Sequence, residues 1–308
     1  MPLSKNQLFS YHELGWVVVK DVFDKATVEK IRSEFQGIDG KIAVMSLEEH
    51  AKMGVIASWE PDLPEGHPKV IQQLMGSDNI SPTLHSLIRR RDIVDMVEQI
   101  LGPEIELYHS KLLRKAPGVP GFFPWHQDYG YWHFGEKMPA QVNIAFAIER
   151  QTIANGCLNY VPGSHKIGLL NHLNFGGESF AWGLSKDFDQ FNAIPVEYEA
   201  GDICIFGSLV IHGSEPNRTP EPARFNTVAY SVTRTHKDEN ARYECCARPK
   251  HKQKAFVFTL LSFSPHPDNL LRAWGCFFGG GALENCSGVF VAGEKRLHTS
   301  NESEIGQS

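Results

Sequence analysis

Pro124-Trp125-His126-Gln127-Asp128-Tyr129 is the stretch that decides how this chain is understood, taken together with Ile211-His212-Gly213-Ser214 further on. His-x-Asp followed by a distant His supplies two imidazoles and one carboxylate. That is the facial ligand set which holds non-haem Fe(II) and leaves coordination positions open. On an extended strand, residues i and i+2 face one side, so His126 and Asp128 can address a single ion. The tripeptide alone is common. Its weight comes from the second histidine and from what surrounds both.

Outward from this stretch the period is that of β-structure. Ile105, Leu107, Leu112 and Leu113 sit in strand-like runs, and Gly118, Pro120 and Gly121 mark a turn before the His-x-Asp strand. Gln141 to Ile148 is a strand with Val142, Ile144, Phe146 and Ile148 on one face. Asn155-Gly156 is a hairpin-type turn, with Cys157 to Val161 as the return strand. Residues 170–192 are loop-like. Val196 to Asp202 and Ile203 to Phe206 form a strand, a tight turn and a second strand ending near His212. Asn226 to Thr233 is a further strand. Upstream, Gly15 to Lys20 is a short strand, followed by a helix capped by Asp24 or Thr27 that aligns Val28, Ile31 and Phe35. Residues 41–80 are broken by Pro61, Pro64 and Pro68, which predicts a loop-rich segment with one or two short helices, suited to a lid or pocket wall. Ser81-Pro82 opens an amphipathic helix that Gly102-Pro103 stops. The fold class expected is α+β with a mainly β core at about residues 104–235, closed or sandwiched, and flanking N-terminal helices.

Composition narrows the function classes. The chain has 308 residues, 42% hydrophobic and 21% charged, with a net charge of −6, and its pI is about 6.2. No basic field supports nucleic-acid binding. The densest basic run, Arg89-Arg90-Arg91, reads as a solvated helix face or end. No apolar run reaches membrane-spanning length, and the first residues show no secretory pattern. The six cysteines form no C-x-x-C pair and no regular framework. The expectation is therefore a reducing, cytoplasmic setting without membrane association. Nothing in the sequence indicates an oligomeric state.

At His126-Gln127-Asp128, Val161-Pro162-Gly163-Ser164-His165 and His212-Gly213-Ser214, the chain resembles the phytanoyl-CoA dioxygenase (PhyH) family of Fe(II)/2-oxoglutarate oxygenases. Tyr11 to Val18, Asn155 to Leu158 and Glu199 to Asp202 support the match, which runs from about Gln7 to about Thr235. The resemblance implies a double-stranded β-helix, or cupin-like jelly roll. It implies iron on His126, Asp128 and His212, with 2-oxoglutarate and O2 as co-substrates. It also places a basic residue after the second histidine to pair with the distal carboxylate of 2-oxoglutarate. Arg224 is expected there, because it opens a strand whose side chain can point into the barrel, whereas Arg218 lies in a turn. An Arg fork meets a carboxylate bidentately. Ser214 matches a position that hydrogen-bonds the same carboxylate. Tyr129-Gly130-Tyr131-Trp132-His133 resembles the ectoine hydroxylase branch, which implies Trp132, with Tyr129, beside the substrate. His133 and His165 are expected to be surface or outer-layer residues.

The expected reaction is oxidation of a C–H bond, most simply hydroxylation, with succinate and CO2 released. Family halogenases have a small residue in place of the carboxylate, so Asp128 favours hydroxylation over halogenation. No Lys/Arg cluster near the motifs suggests a CoA phosphate site, and the aromatics after Asp128 suggest a small or medium organic substrate. Two rivals stand beside this reading. One is a different metal enzyme on a cupin-like barrel, and the other is a non-catalytic metal- or ligand-binding member of the family. The domain division expected is 1–245 for the oxygenase domain and 246–308 for a divergent C-terminal extension with a disordered end.

Overall fold

The N-terminal helices begin and end where side chains and glycines can cap them. In α1 (Lys5–Leu14), Ser4 accepts from the Gln7 amide while the Gln7 side chain returns to the Ser4 amide, a reciprocal capping box. Asp24 caps α2 (Lys25–Glu34) through the Thr27 amide. α3 (Ile38–Ala43) follows, and Ser46 and Glu49 form a second capping box on α4 (Leu47–Met53). The described residues of this computed structural model are 2–60, 63, 65–119, 121–131, 140–174, 182–184 and 192–232, with strands at 256–260 and 274–278.

The remaining elements, in chain order, begin with β1 (Trp16–Val19), β2 (Ile56–Trp59) and β3 (Ile71–Met75), then α5 (Pro82–Leu87) and α6 (Arg91–Leu101). The β core follows with β4 (Ile105–Lys115), β5 (Phe123–His126), β6 (Gln141–Ala147), β7 (Asn159–Tyr160), β8 (Leu173–Asn174), β9 (Trp182–Gly183), β10 (Ile194–Pro195), β11 (Ile203–Gly207), β12 (His212–Ser214) and β13 (Ala223–Val232). β14 (Phe256–Leu260) and β15 (Trp274–Phe278) pair with each other. Among the described residues the larger sheet runs β1-β11-β6-β13-β4-β3-β2 and the smaller β10-β7-β12-β5. Neighbouring strands are antiparallel throughout both.

The two faces of the larger sheet do different work. Val142, Ile144 and Phe146 of β6, Val228 and Tyr230 of β13 and Leu112 of β4 join a buried cluster with Val28, Ile31, Ile93 and Val97 of the helices. The opposite face carries Ala145, Phe225 and Leu113, which pack with Phe123, Tyr160 and Phe206 between the sheets. This is the jelly roll, with helices covering its outer face. The period-2 alternation of the strands sorts every side chain to one layer or the other.

Several local expectations need correction. Residues 41–80 are not only loop and short helix, because β2 and β3 add a hairpin to the sheet edge beside β4. The helix expected from Ser81 to Leu101 is two helices, α5 and α6, broken near Arg90. Arg89-Arg90-Arg91 is not simply a solvated face, since Arg90 donates to the Val22 carbonyl at 2.9 Å and clasps Asp92. Cys157 to Val161 is not a hairpin return onto β6. At Asn155-Gly156 the chain leaves the larger sheet, and β7 pairs instead with β12 and β10. The segment 246–308 lies outside the described residues except for β14 and β15.

Gly15 shows how tightly the corner between α1 and β1 is closed. Its φ is +97°, and a Cβ there would stand 2.4 Å from Val210 Cγ2. Gly15→Ala should lower stability by about 1–3 kcal/mol through backbone strain and overpacking, read as a lower urea midpoint at unchanged slope.

Candidate metal centre

β5 and β12 lie side by side in the smaller sheet, with His126 directly opposite His212. Their rings are 4.2 Å apart between centroids. After His126 the backbone stays extended at Gln127 (φ −113°, ψ 132°), and Asp128 then opens a short 3₁₀ turn. One extended residue keeps His126 and Asp128 on the same side. One ligand atom from each of His126, Asp128 and His212 falls within 4.8 Å of the other two, and all three residues are buried.

Each ring is oriented by its own strand. His126 Nδ1 meets the Pro124 carbonyl at 2.6 Å, and His212 Nδ1 meets the Val210 carbonyl at 2.9 Å. Both carbonyls can only accept, so the protons belong on Nδ1 and the Nε2 lone pairs are left for a cation. The Nε2 atoms stand 3.8 and 3.9 Å from the Asp128 carboxylate. Asn143 Nδ2 donates to Asp128 Oδ2 at 2.8 Å, and Lys111 Nζ is 3.6 Å from Oδ1. Tyr160 stacks along the His212 ring, and Phe206 meets it edge-on.

Burial pushes His126 well below the usual histidine range, with His212 as a further repulsive neighbour, and burial likewise lowers His212. Burial opposes ionisation of Asp128, but Lys111 and the two histidines outweigh it and hold the carboxyl at about 2. Two neutral imidazoles and one carboxylate, all aimed inward, fit a divalent cation that accepts nitrogen and oxygen donors.

The x of His-x-Asp is a clamp. Gln127 is fully buried. Its Nε2 donates to the carbonyls of Gly168 and Leu209 at 2.8 and 2.7 Å, its Oε1 accepts from the Leu170 amide, and its own amide donates to His172 Nε2. Gln127, Asn143 and Lys111 were not picked out from the sequence. The available signal was polar residues in otherwise apolar strands, on the same alternating face as buried neighbours.

Arg224 requires a correction. It pairs in register with Arg114 on β4, while Phe225 beside it points between the sheets. Arg224 therefore faces the helix-covered side, where its guanidinium holds Glu149 at 2.6 Å. It does not look toward the triad. The register decides the face: Ala223, opposite Lys115, and Phe225, opposite Leu113, look between the sheets, and Arg224 between them looks the other way. Ser214 is buried on β12 and accepts from Lys115 Nζ at 2.6 Å. Tyr129 is buried, and its amide donates to the Ser208 carbonyl. Trp132 and His133 lie outside the described residues. His165 sits against the His12 carbonyl on α1, away from the triad.

A sequence profile described as phytanoyl-CoA dioxygenase (PhyH) matches residues 11–225. The chain belongs to the phytanoyl-CoA dioxygenase family. A probable phytanoyl-CoA dioxygenase from Caenorhabditis elegans is 31% identical over 229 residues, covering 70% of this chain and 72% of its own. An ectoine dioxygenase from Bordetella parapertussis is 25% identical over 265 residues, covering 81% and 82%. Among solved structures, EctD from S. alaskensis with 2-oxoglutarate and 5-hydroxyectoine superposes with a TM-score of 0.58 at 20% identity, covering 75% of this chain and 77% of that one. The same protein is also known with bound Fe. This family member is an Fe(II)/2-oxoglutarate-dependent dioxygenase, with O2 as its other co-substrate. No helix among its described residues is long and apolar enough to cross a membrane.

The lowered histidine values give the sign of a pH effect. A proton competes with metal only near or below a ligand's own pKa, and both histidines titrate below about 6.5. Co(II) affinity of the apo-protein should therefore fall less from pH 7.5 to pH 6 than at a site of unshifted histidines, in calorimetric or absorbance titrations. A site with ordinary histidines would lose affinity steadily over that range.

Proposed function

We propose that this protein hydroxylates a C–H bond of a small, polar organic substrate, with His126, Asp128 and His212 holding the iron and 2-oxoglutarate converted to succinate and CO2. The observation that carries this reading is the convergence of the three buried donors. When bound, iron with 2-oxoglutarate and O2 supplies the oxidising power for the conversion of C–H to C–OH. The protein's own part is to bind, orient and exclude water.

His126 and His212 present Nε2 because the Pro124 and Val210 carbonyls occupy Nδ1. Asn143 holds one Asp128 oxygen at 2.8 Å, which fixes the carboxylate plane and leaves the other oxygen beside Lys111. Tyr131, half-buried, meets the His126 ring edge-on with centroids 5.2 Å apart. Dry walls of this kind strengthen each charge interaction inside them.

The polar character of the substrate is argued from the interior face. Gln141 and Asn143 of β6 share that face with Ala145, and Thr227 of β13 shares it with Phe225. Both side-chain ends of Gln141, Asn143 Oδ1 and Thr227 Oγ1 are buried without a hydrogen-bond partner among the described residues. Such groups cost about 1–3 kcal/mol each when unsatisfied, so a ligand that pairs them gains what an acyl chain cannot. The supply of both donors and acceptors favours a substrate carrying several hydrogen-bonding groups.

The test is an anaerobic titration of apo-protein with Fe(II) and then 2-oxoglutarate, following the weak visible metal-to-ligand charge-transfer band. The band should form in the wild type and be absent in His212→Ala. Asp128→Ala should abolish succinate formation, and an unchanged rate would remove this carboxylate from the site. Gln141→Leu should keep the band but lose most of the substrate-stimulated succinate release.

A further inference from the structure

Lys115 is the last residue of β4, on the face that looks between the sheets, and it is only 1% exposed. Its ammonium donates to the Gly156 carbonyl at 2.8 Å, to Ser214 Oγ at 2.6 Å and to the Glu215 carbonyl. The Phe123 ring lies 5.6 Å away. Among the described residues no carboxylate is within ion-pair distance of it. Lysines this deeply buried are ordinarily paired with an anion. Here the atoms in contact with it are neutral oxygens, the Glu215 and Glu60 carboxylates act on it only from farther off, and burial outweighs them and pushes the amine down to about 7. Among the described residues the buried ammonium is thus held by neutral acceptors in contact, with carboxylates of the chain only at longer range.

Its position relates it to the triad. Ser214 lies two residues beyond His212 on β12, about 7 Å along a strand. That distance is comparable with the length of an extended five-carbon diacid whose other end reaches the metal ligands. Ser214 Oγ accepts from Lys115, so its own proton turns away and is available to an anion. Space is reserved for the ammonium as well. A Cβ on Gly156 would fall 2.8 Å from Nζ. On β13 the residue opposite Lys115 is Ala223, which adds only a methyl group.

The other nearby cations are already engaged. Lys111, also on the inner face of β4, stands 3.6 Å from Asp128. Arg224 and Arg114 point to the helix side, where Glu149 and Asp39 hold them.

We propose that Lys115, with Ser214, anchors the distal carboxylate of 2-oxoglutarate in this protein, the role Arg224 cannot reach. Cation and co-substrate anchor thus come from β4 rather than from β13. Lys115 offers a point charge in place of a planar fork, and the Ser214 hydroxyl supplies the direction that a fork would have given. This inference rests on the triad being the iron site.

The experiment compares two keto acids in anaerobic Fe(II)-loaded protein. 2-Oxoglutarate carries the distal carboxylate, and 2-oxobutanoate has the same chelating end without it. Binding is followed by the charge-transfer band and by calorimetry. In Lys115→Met the Kd for 2-oxoglutarate should rise about 30-fold or more, as when one partner of a buried charge pair is removed. The Kd for 2-oxobutanoate should stay within about threefold of wild type, the range expected of a residue that touches only the missing group. Lys115→Arg should recover part of the loss, and Arg224→Ala should bind 2-oxoglutarate as wild type does. Equal weakening of both keto acids in Lys115→Met would overturn the proposal, and so would a selective loss in Arg224→Ala. If Lys115→Met fails to fold or to bind iron, Ser214→Asp supplies an internal carboxylate to Lys115 and should selectively exclude 2-oxoglutarate. Undiminished 2-oxoglutarate binding in Ser214→Asp would also overturn it. A wild-type protein that binds Fe(II) but gives no band with either keto acid would instead refute the reading of the triad itself.

Discussion

The antiparallel register that sets His126 opposite His212 is the constraint on which the rest of the structure depends. A strand slipped by one residue would turn each histidine to the opposite face and disperse the site. The short strands β5 and β12 make too few ladder bonds to hold that register alone. Gln127 supplies what they lack, tying the chain between the histidine and the aspartate to the backbone near Gly168, Leu170 and Leu209. On the other side of β12, Tyr160 of β7 pairs with His212 and packs along its ring. The metal-facing geometry is thus over-determined by groups that need not touch a metal.

The larger sheet pays for this with an interior that is unusually polar. Lys111, Lys115, Asn143, Gln141 and Thr227 are sorted to the face that also carries Leu113, Ala145 and Phe225, rather than to the helix-packed face. A core chosen for stability alone would place apolar side chains there, since buried polar atoms without partners are costly. The outer face supplies the compensation. There Val142, Ile144, Phe146, Val228 and Tyr230 pack against the N-terminal helices in a buried apolar cluster. One sheet therefore divides its labour by strand alternation, with stability on one face and chemistry on the other.

Much of this was legible in the chain. The His-x-Asp motif, the second histidine, the strand at Gln141 and the helix capped by Asp24 all announce themselves through local chemistry and short-range period. Where local signals were weak the reading was poorer. The β2–β3 hairpin lies among prolines and is held by pairing with β4, a contact remote in sequence. Asn155-Gly156 has hairpin composition, yet the strands it joins belong to different sheets. That choice is made by β12, which lies some fifty residues on and pairs with β7.

By itself, then, the sequence determined the ligand types, their order and the alternation that lets His126 and Asp128 share a side. Those properties follow from side-chain chemistry and the two-residue repeat of a strand. Only the tertiary structure decided which basic residue faces the interior. Arg224 and Lys115 both sit in strands beside the site. Which of them points inward depends on where β13 begins and how it registers with β4. That register arises from long-range hydrogen bonding and from packing on two faces at once, which no local window contains. It sets Arg224 against Glu149 on the helix side and leaves Lys115, beside Ser214, as the buried cation facing inward.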